Sequence, residues 1–553
     1  MNAKRVYGID LGTTYSCIAH VDEHGKPVVI PNSEGDLTTP SVVYFESPQN
    51  VVVGQAAKEV ASIHADLCVS TVKRAMGDPN WQRTFHGQSY RPQEVSALIL
   101  RKVVGDAEQA VGDKIEDVVI TCPAYFGVNE REATKQAGTV AGLKVLYVIP
   151  EPTAAALAYG IEQSEDQVIL VYDLGGGTFD VTVIKVGAGE IRVVCTGGDH
   201  QLGGKDWDDA LVTYFAQRFE QETGTSSDAL LEDQETYQEL LNAAERCKKH
   251  LSSRESITEA VRFGGEKVKV DLTRATFDQI TGDLLERTLT LTDDEIARAK
   301  GMGIGRIDKL LLVGGSTYMP QVQEAVKKRF PFDVRQFDPN QAVAKGAALY
   351  GYKCYLDQEI KIRIGAETGQ SPDEIKIEDV APKDLKKAQE EVADEHGLSL
   401  PGLTKLHGTT IVNVSSKSFG IVVMNRDHRE VVVNLIAKDA PVPAAVTQEF
   451  GTYDEGQIQV DLRCMENQAP GTGELEISDC REVGKTVLPF ARALPKGSPI
   501  EVTFQLGPDG LLALKGRDRT TNREVDAQWQ TEAILSREEE AEARSRNLAL
   551  KVA

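Results

Sequence analysis

Two short segments of the sequence set a carboxylate, a glycine turn and a hydroxyl in the same order. Asp10-Leu11-Gly12-Thr13-Thr14 follows one apolar run, and Asp173-Leu174-Gly175-Gly176-Gly177-Thr178 follows another. Glycine lets backbone N–H groups approach phosphate oxygens with no Cβ in the way, and threonine hydroxyls add donors. The aspartates suit Mg²⁺, which keeps much of its water when bound. A third glycine site, Leu312-Val313-Gly314-Gly315-Ser316-Thr317, also follows an apolar run and is placed to approach the same ligand. One such turn alone is more simply a tight corner. Two in the same order, with the third beside them, imply two similar lobes facing one nucleotide. Gly484-Lys485-Thr486 imitates the end of a Walker P-loop, but Asp479 stands where the leading glycine is needed, so the segment reads as a turn.

The elements that must position these turns follow from hydrophobic periodicity. Val6–Asp10, Val28–Ile30, Val118–Cys122, Val168–Asp173 and Leu310–Val313 read as short buried strands. Helical patterns cover Pro92–Val111, Asn129–Gly142, Asp206–Gln221, Gln234–Leu251 and Gln341–Lys353, and the alternation predicts α/β layers. From Cys354 to Gly408 the chain is charged, with a helix expected over Pro382–His396 behind its leading proline. From Thr409 short alternating strands take over: Thr410–Val414, Phe419–Met424, Glu430–Leu435, Gln457–Arg463, Gly473–Ile477, Ile500–Leu506 and Leu511–Lys515. Asp509-Gly510 is the clearest hairpin signal, and the pattern predicts an antiparallel β-sandwich. Ser536 and Glu539 form a capping box on a terminal helix, Ser536–Ala549.

A chain of 553 residues is too long for one hydrophobic core, so two or more domains are expected. The boundaries are read as 1–355 for an ATP-binding domain, 356–408 for a charged insert or linker, 409–533 for the sandwich, and 534–553 for a vestigial helix. No signal peptide or membrane span is read. The net charge of −23 disfavours nucleic acid as a partner. Eight cysteines are scattered singly with no C-x-x-C pair, which points to a reducing cytoplasm.

At Gly8–Thr14 (GIDLGTT), Val119–Phe126 (VITCPAYF), Glu151–Gly160 (EPTAAALAYG), Asp173–Val181 (DLGGGTFDV) and Leu312–Thr317 (LVGGST) the sequence resembles the seventy-kilodalton heat-shock chaperone family. The resemblance implies an actin-like, ribonuclease-H-like two-lobed nucleotide-binding domain followed by a β-sandwich peptide-binding domain, with ATP hydrolysis coupled to peptide release. It implies that Lys73 is the catalytic lysine and that Glu151 and Asp173 flank the attacking water. Asp10, Asp173 and Asp180 would surround Mg²⁺ and K⁺, and Thr13 and Thr178 would lie near the phosphates. Gly12, Thr14, Gly175, Gly176, Gly177, Gly203, Gly204, Gly314, Gly315 and Ser316 would bind the ATP or ADP phosphates. Glu245, Lys248, Lys249, Ser252 and Tyr318 would bind its nucleoside, with Asn340 where an aspartate is usual. Pro123 and Arg131 match an interdomain relay. Simpler readings stand beside these: a surface lysine at 73, a helix cap at Glu151, a backbone contact at Asp180, a strand-ending proline at 123 and a surface ion pair at Arg131.

In the sandwich, Ile421, Phe450, Val460 and Leu462 match walls of the family's peptide cleft, and Met424 and Tyr453 match the arch over it, although Ile421 and Phe450 are equally read as core. The implied partners are unfolded or extended polypeptides, a J-domain co-chaperone and a nucleotide exchange factor. The sequence departs from the family in a polar linker (Thr409–Asn413), a long Cys354–Gly408 segment, a nearly absent lid and a shortened region after Asp78. A nucleotide-gated scaffold for a dedicated partner, and a small-molecule kinase of the same fold, are the competing functions.

Overall fold

Short β-branched runs ending in aspartate build both halves of the front module, and they build them alike. The computed structural model describes residues 5–160, 165–187, 189–397, 400–471, 473–527 and 533–553. In the first lobe the sheet order is Lys144–Pro150, Asp117–Cys122, Tyr7–Asp10, Tyr15–Val21, Pro27–Ile30, with the first three parallel and the rest antiparallel. In the second lobe it is Asp333–Gln336, Lys309–Val313, Gln167–Leu174, Phe179–Gly187, Glu190–Asp199, again three parallel then two antiparallel. The two aspartate turns occupy the same hairpin in each sheet, joining Tyr7–Asp10 to Tyr15–Val21 and Gln167–Leu174 to Phe179–Gly187.

The helices Glu151–Gly160 and Ala342–Thr368 share one core between the lobes, and small residues let them approach. A Cβ on Gly346 would run into the Ala154 backbone, and one on Gly8 into the backbone of Ala344–Ala348. The last helix continues past its expected end at Lys353 to Thr368, stopped by Gly369 at φ 75°. It continues because Leu356, Ile360 and Ile364 still have a core to face: Ala388, Val392 and Ala393 of the helix Pro382–His396, and Leu403 and Leu406 beyond it. The segment expected as a charged insert is therefore folded onto the two-lobed module. His407 Nδ1 lies 2.6 Å from Asp357 Oδ1 at that junction.

The sandwich has two sheets. One runs Glu474–Leu475, Glu430–Ile436, Ser418–Met424, Gln457–Asn467, Arg481–Leu494; the other runs Ala444–Gly451, Pro499–Leu506, Leu512–Asp518, Arg523–Ala527. Phe419, Ile421 and Leu462 meet Val502, Phe504 and Leu514 between them. Gly484-Lys485-Thr486 is not a turn: it lies inside the long strand Arg481–Leu494, paired with Leu462–Cys464. Its mixed polar sequence hides an alternating strand. The expected strand Gly473–Ile477 shrinks to Glu474–Leu475.

The polar linker is itself a strand. Thr410–Val414 pairs in parallel with Glu190–Arg192 of the second lobe and antiparallel with Pro441–Val442 of the sandwich, so one sheet spans the junction. Asn413 is buried and its Oδ1 accepts from Thr153 Oγ1 at 2.8 Å, a hydrogen bond in place of apolar burial.

The terminal helix Arg537–Ala549 carries the expected Ser536–Glu539 capping box, but it packs on the first lobe. Arg546 pairs with Glu94, Asn547 Nδ2 donates to the Glu94 carbonyl at 3.0 Å, and Lys551–Val552 adds a parallel strand beside Asn50–Val53. All eight cysteines are free, and among the described residues no helix is long and apolar enough to cross a membrane.

Candidate active site

Both aspartate turns and the third glycine site open into one cleft of about 570 Å³ between the lobes. Close approach explains the glycines. A Cβ on Gly12 would strike the Tyr15 carbonyl, and one on Gly176 the Thr14 side chain of the opposite lobe. Gly314, at φ 84°, needs the left-handed region and abuts Leu174 and Asp173. Ser316 Oγ donates to the Gly175 carbonyl at 2.8 Å, tying the third site to the second turn. Gly12, Thr13, Thr14, Gly175, Gly176, Thr178, Gly204, Gly314, Gly315 and Ser316 line the cleft. Gly177 and Gly203 lie behind that lining, where Gly203 packs on the Gly177 backbone and Gly177 on Thr13.

Lys73 is 5% exposed and forms an ion pair with Glu151, the first residue of the helix Glu151–Gly160. It is no surface lysine. Burial alone would pull its ammonium down, but Glu151 and Asp10 more than offset that and hold it above its ordinary value. Burial first, then Glu151, pushes the Asp10 carboxyl up to about 7. Burial and then Glu151 also push Asp173 and Asp180 well above the carboxylate range. Asp180 does contact backbone, its Oδ1 accepting from the Ala124 N–H at 2.9 Å, while its buried Oδ2 has no partner among the described residues. Four acidic side chains around one lysine leave the pocket short of positive charge. No three His, Cys, Asp or Glu side chains among the described residues converge into a direct metal cage. The donor set fits Mg²⁺ held largely through water and phosphate oxygens.

At the far end of the cleft, the helix Gln234–Leu251 and the residue after it supply Glu245, Lys248, Lys249 and Ser252. Lys248 Nζ donates to Asp208 Oδ2 and to the Gly204 carbonyl, each at 2.7 Å. Tyr318 lines the cleft and is 44% exposed, so its ring face is available for stacking. Asn340 Oδ1 would lie 2.9 Å from a Cβ on Gly315, so Asn340 sits against the third glycine site.

Several residues were not legible from sequence because only the closed cleft brings them together. Tyr15 donates to Glu245 Oε1 at 2.9 Å and accepts from Lys58 at 3.0 Å and Lys249 at 2.8 Å; Lys58 also pairs with Glu245 from the opposite lobe. Lys58 and Lys249 outweigh burial and hold Glu245 down at about 2. Arg74, beside Lys73, donates to the Gly177 carbonyl at 2.8 Å and to Asp206 Oδ2 at 2.6 Å, again across the cleft.

The model of a family described as Hsp70 protein matches residues 6–84, 77–386 and 397–551. The chain belongs to the Hsp70 family. Members of that family are ATPases that act as chaperones. In this Hsp70-family chain, Arg131 is 5% exposed and is no surface ion pair. Its guanidinium donates to the carbonyls of Phe126 at 2.9 Å and Ala124 at 3.2 Å, and reaches the Asp509 carbonyl of the sandwich at 3.2 Å. Pro123 precedes Ala124, whose N–H is held by Asp180. A hydrogen-bonded path thus runs from Asp180 through the Ala124 peptide and Arg131 to the sandwich hairpin.

In the sandwich of this Hsp70-family chain, Ile421 and Leu462 are each 2% exposed and belong to the core between the sheets, not to an accessible wall. Phe450 and Val460 are partly buried at its edge. Met424 is 38% exposed, and Tyr453 is met by His428, in the turn after Met424, with Lys496 5.0 Å over its ring.

Lys58 should govern how fast nucleotide leaves, because its pair with Glu245 must open first. Lys58→Ala should speed ADP release about five-fold, the rate equivalent of roughly 1 kcal/mol for a partly exposed pair. Stopped-flow displacement of a fluorescent ADP measures this; an unchanged rate would show that the pair does not gate the cleft.

Proposed function

We propose that the chain binds ATP with Mg²⁺ in this cleft, hydrolyses it to ADP and phosphate, and uses the cycle to bind and release exposed apolar segments of unfolded polypeptides. The reading is carried by the path Asp180–Ala124–Arg131–Asp509, which joins the acidic pocket to the sandwich by hydrogen bonds alone.

Lys73 serves as a fixed positive charge toward the γ-phosphate, held by Glu151 before substrate arrives. Glu151 and Asp173 flank the attacking water, either one orienting it or accepting its proton, while Thr13 and Thr178 donate to phosphate oxygens. When bound, Mg²⁺ neutralises charge on the β- and γ-phosphates; K⁺ is a further proposed ligand of the same acidic pocket. Glu245, Lys248, Lys249, Ser252 and Tyr318 hold the nucleoside. Arg131, with Pro123 at the base of its loop, reports the nucleotide state to the sandwich.

The peptide site proposed is the sandwich edge of Phe450, Val460, Met424 and Tyr453, gripping an extended segment by main-chain hydrogen bonds and one apolar pocket. A J-domain co-chaperone, a nucleotide exchange factor and a cytoplasmic setting are part of the same proposal. Val460→Phe should fill the pocket and weaken binding of an apolar heptapeptide about ten-fold or more. Fluorescence anisotropy measures it, with the melting midpoint as a check on folding; retained affinity in a folded variant would misplace the cleft.

The test of the whole reading is ATP turnover with and without an unfolded peptide, alongside calorimetry with Mg²⁺. Nucleotide uptake, with turnover that responds to peptide, supports it. No uptake, or turnover blind to peptide, ends it.

A further inference from the structure

The loop that carries Lys73 is held from both sides. Within it, the Met76 N–H donates to the Lys73 carbonyl at 3.2 Å and the Asp78 N–H to the Ala75 carbonyl at 3.0 Å, so the segment from Lys73 to Asp78 is a closed pair of turns. It leaves through Gly77, buried and at φ 76°, where Glu130 lies too close for any Cβ. A displacement at Gly77 is therefore a displacement of the turn that holds Lys73.

The Gly77 carbonyl accepts a hydrogen bond from the sandwich: Arg481 Nη2 donates to it at 3.1 Å. The other arm of the same guanidinium donates to Glu130 Oε1 at 2.7 Å, on the helix Val128–Val140 that also carries Arg131, and lies 3.7 Å from Glu466 Oε1. Glu466, also of the sandwich and 5% exposed, sits over Gly127, where its carboxylate leaves no room for a Cβ. A planar fork that reaches a carbonyl and a carboxylate at once fixes direction as well as distance.

Resting on the ATPase reading above, we propose that Arg481 is a positioning residue: it ties the exit of the lysine loop to the sandwich, so that movement of the sandwich changes hydrolysis by a route separate from Arg131. Arg481 is not among the residues that line the cleft.

The test uses the full chain. Arg481→Ala should leave ATP affinity within about two-fold, while the ratio of single-turnover hydrolysis with and without an apolar heptapeptide falls to about one. Arg481→Lys keeps the charge without the fork and should restore part of the ratio. Amide exchange over Thr71–Asp78 should quicken in Arg481→Ala. Unchanged exchange overturns the proposal, as does an unchanged ratio. Faster exchange in a chain whose wild type hydrolyses no ATP leaves the contact standing and defeats the functional reading.

Discussion

Lys73→Ala should bind ATP and fail to hydrolyse it. The lysine is 5% exposed, paired with Glu151 and set within an acidic pocket, so its charge is organised before substrate arrives. Removing one such preorganised group costs on the order of 10²–10³-fold in rate. Affinity should change far less, because the glycine turns and the nucleoside end of the cleft are untouched. The substitution also strips Glu151 of its partner, and an unpaired buried carboxylate destabilises a fold by roughly 3–5 kcal/mol unless it takes up a proton. A melting curve must therefore accompany single-turnover hydrolysis and equilibrium binding. A folded variant that turns over at the wild-type rate removes Lys73 from the chemistry.

Gly177→Val should abolish nucleotide binding. A Cβ there would lie 2.6 Å from Thr13 Cβ and 2.7 Å from Thr13 Oγ1, in the opposite lobe. Rotating the Thr13 side chain gives no relief, since its Cβ is itself in the clash, and Gly203, packed on the Gly177 backbone, opposes a backbone shift. The two phosphate turns must separate, and backbone donors displaced by even an ångström lose phosphate oxygens to water. ATP affinity should fall by about a hundred-fold or more. Isothermal titration calorimetry with Mg²⁺ reads the loss directly. Near-normal affinity would mean that the lobes tolerate a wider cleft than the one described.

Much of this was legible in the sequence where chemistry is local. The helix Pro382–His396 was readable from its leading proline and charge pattern, and the Ser536–Glu539 capping box from four residues. The two aspartate turns were readable because each needs its own glycines. Misreadings arose where a distant partner decides. Nothing within Gly484-Lys485-Thr486 announces a strand; its pairing with Leu462–Cys464 makes it one. The helix expected to stop at Lys353 continues because the next segment folds back to cover Ile360 and Ile364. Ile421 and Leu462 match cleft walls by family resemblance, yet the second sheet covers them, and for Ile421 the alternative reading as core holds.

The sequence by itself determined the pair of aspartate–glycine turns and the order of an α/β module followed by a β-rich one. These rest on residue type and short spacing, which a chain carries before it folds. Only the tertiary structure decided that Arg131 reaches the sandwich hairpin at Asp509 while Arg481 reaches Gly77 and Glu130 of the first lobe, that the strand Thr410–Val414 joins two sheets, and that the terminal helix lies on the first lobe. Those outcomes depend on which buried donors and apolar faces find partners hundreds of residues away, and the chain's local pattern holds no record of that choice.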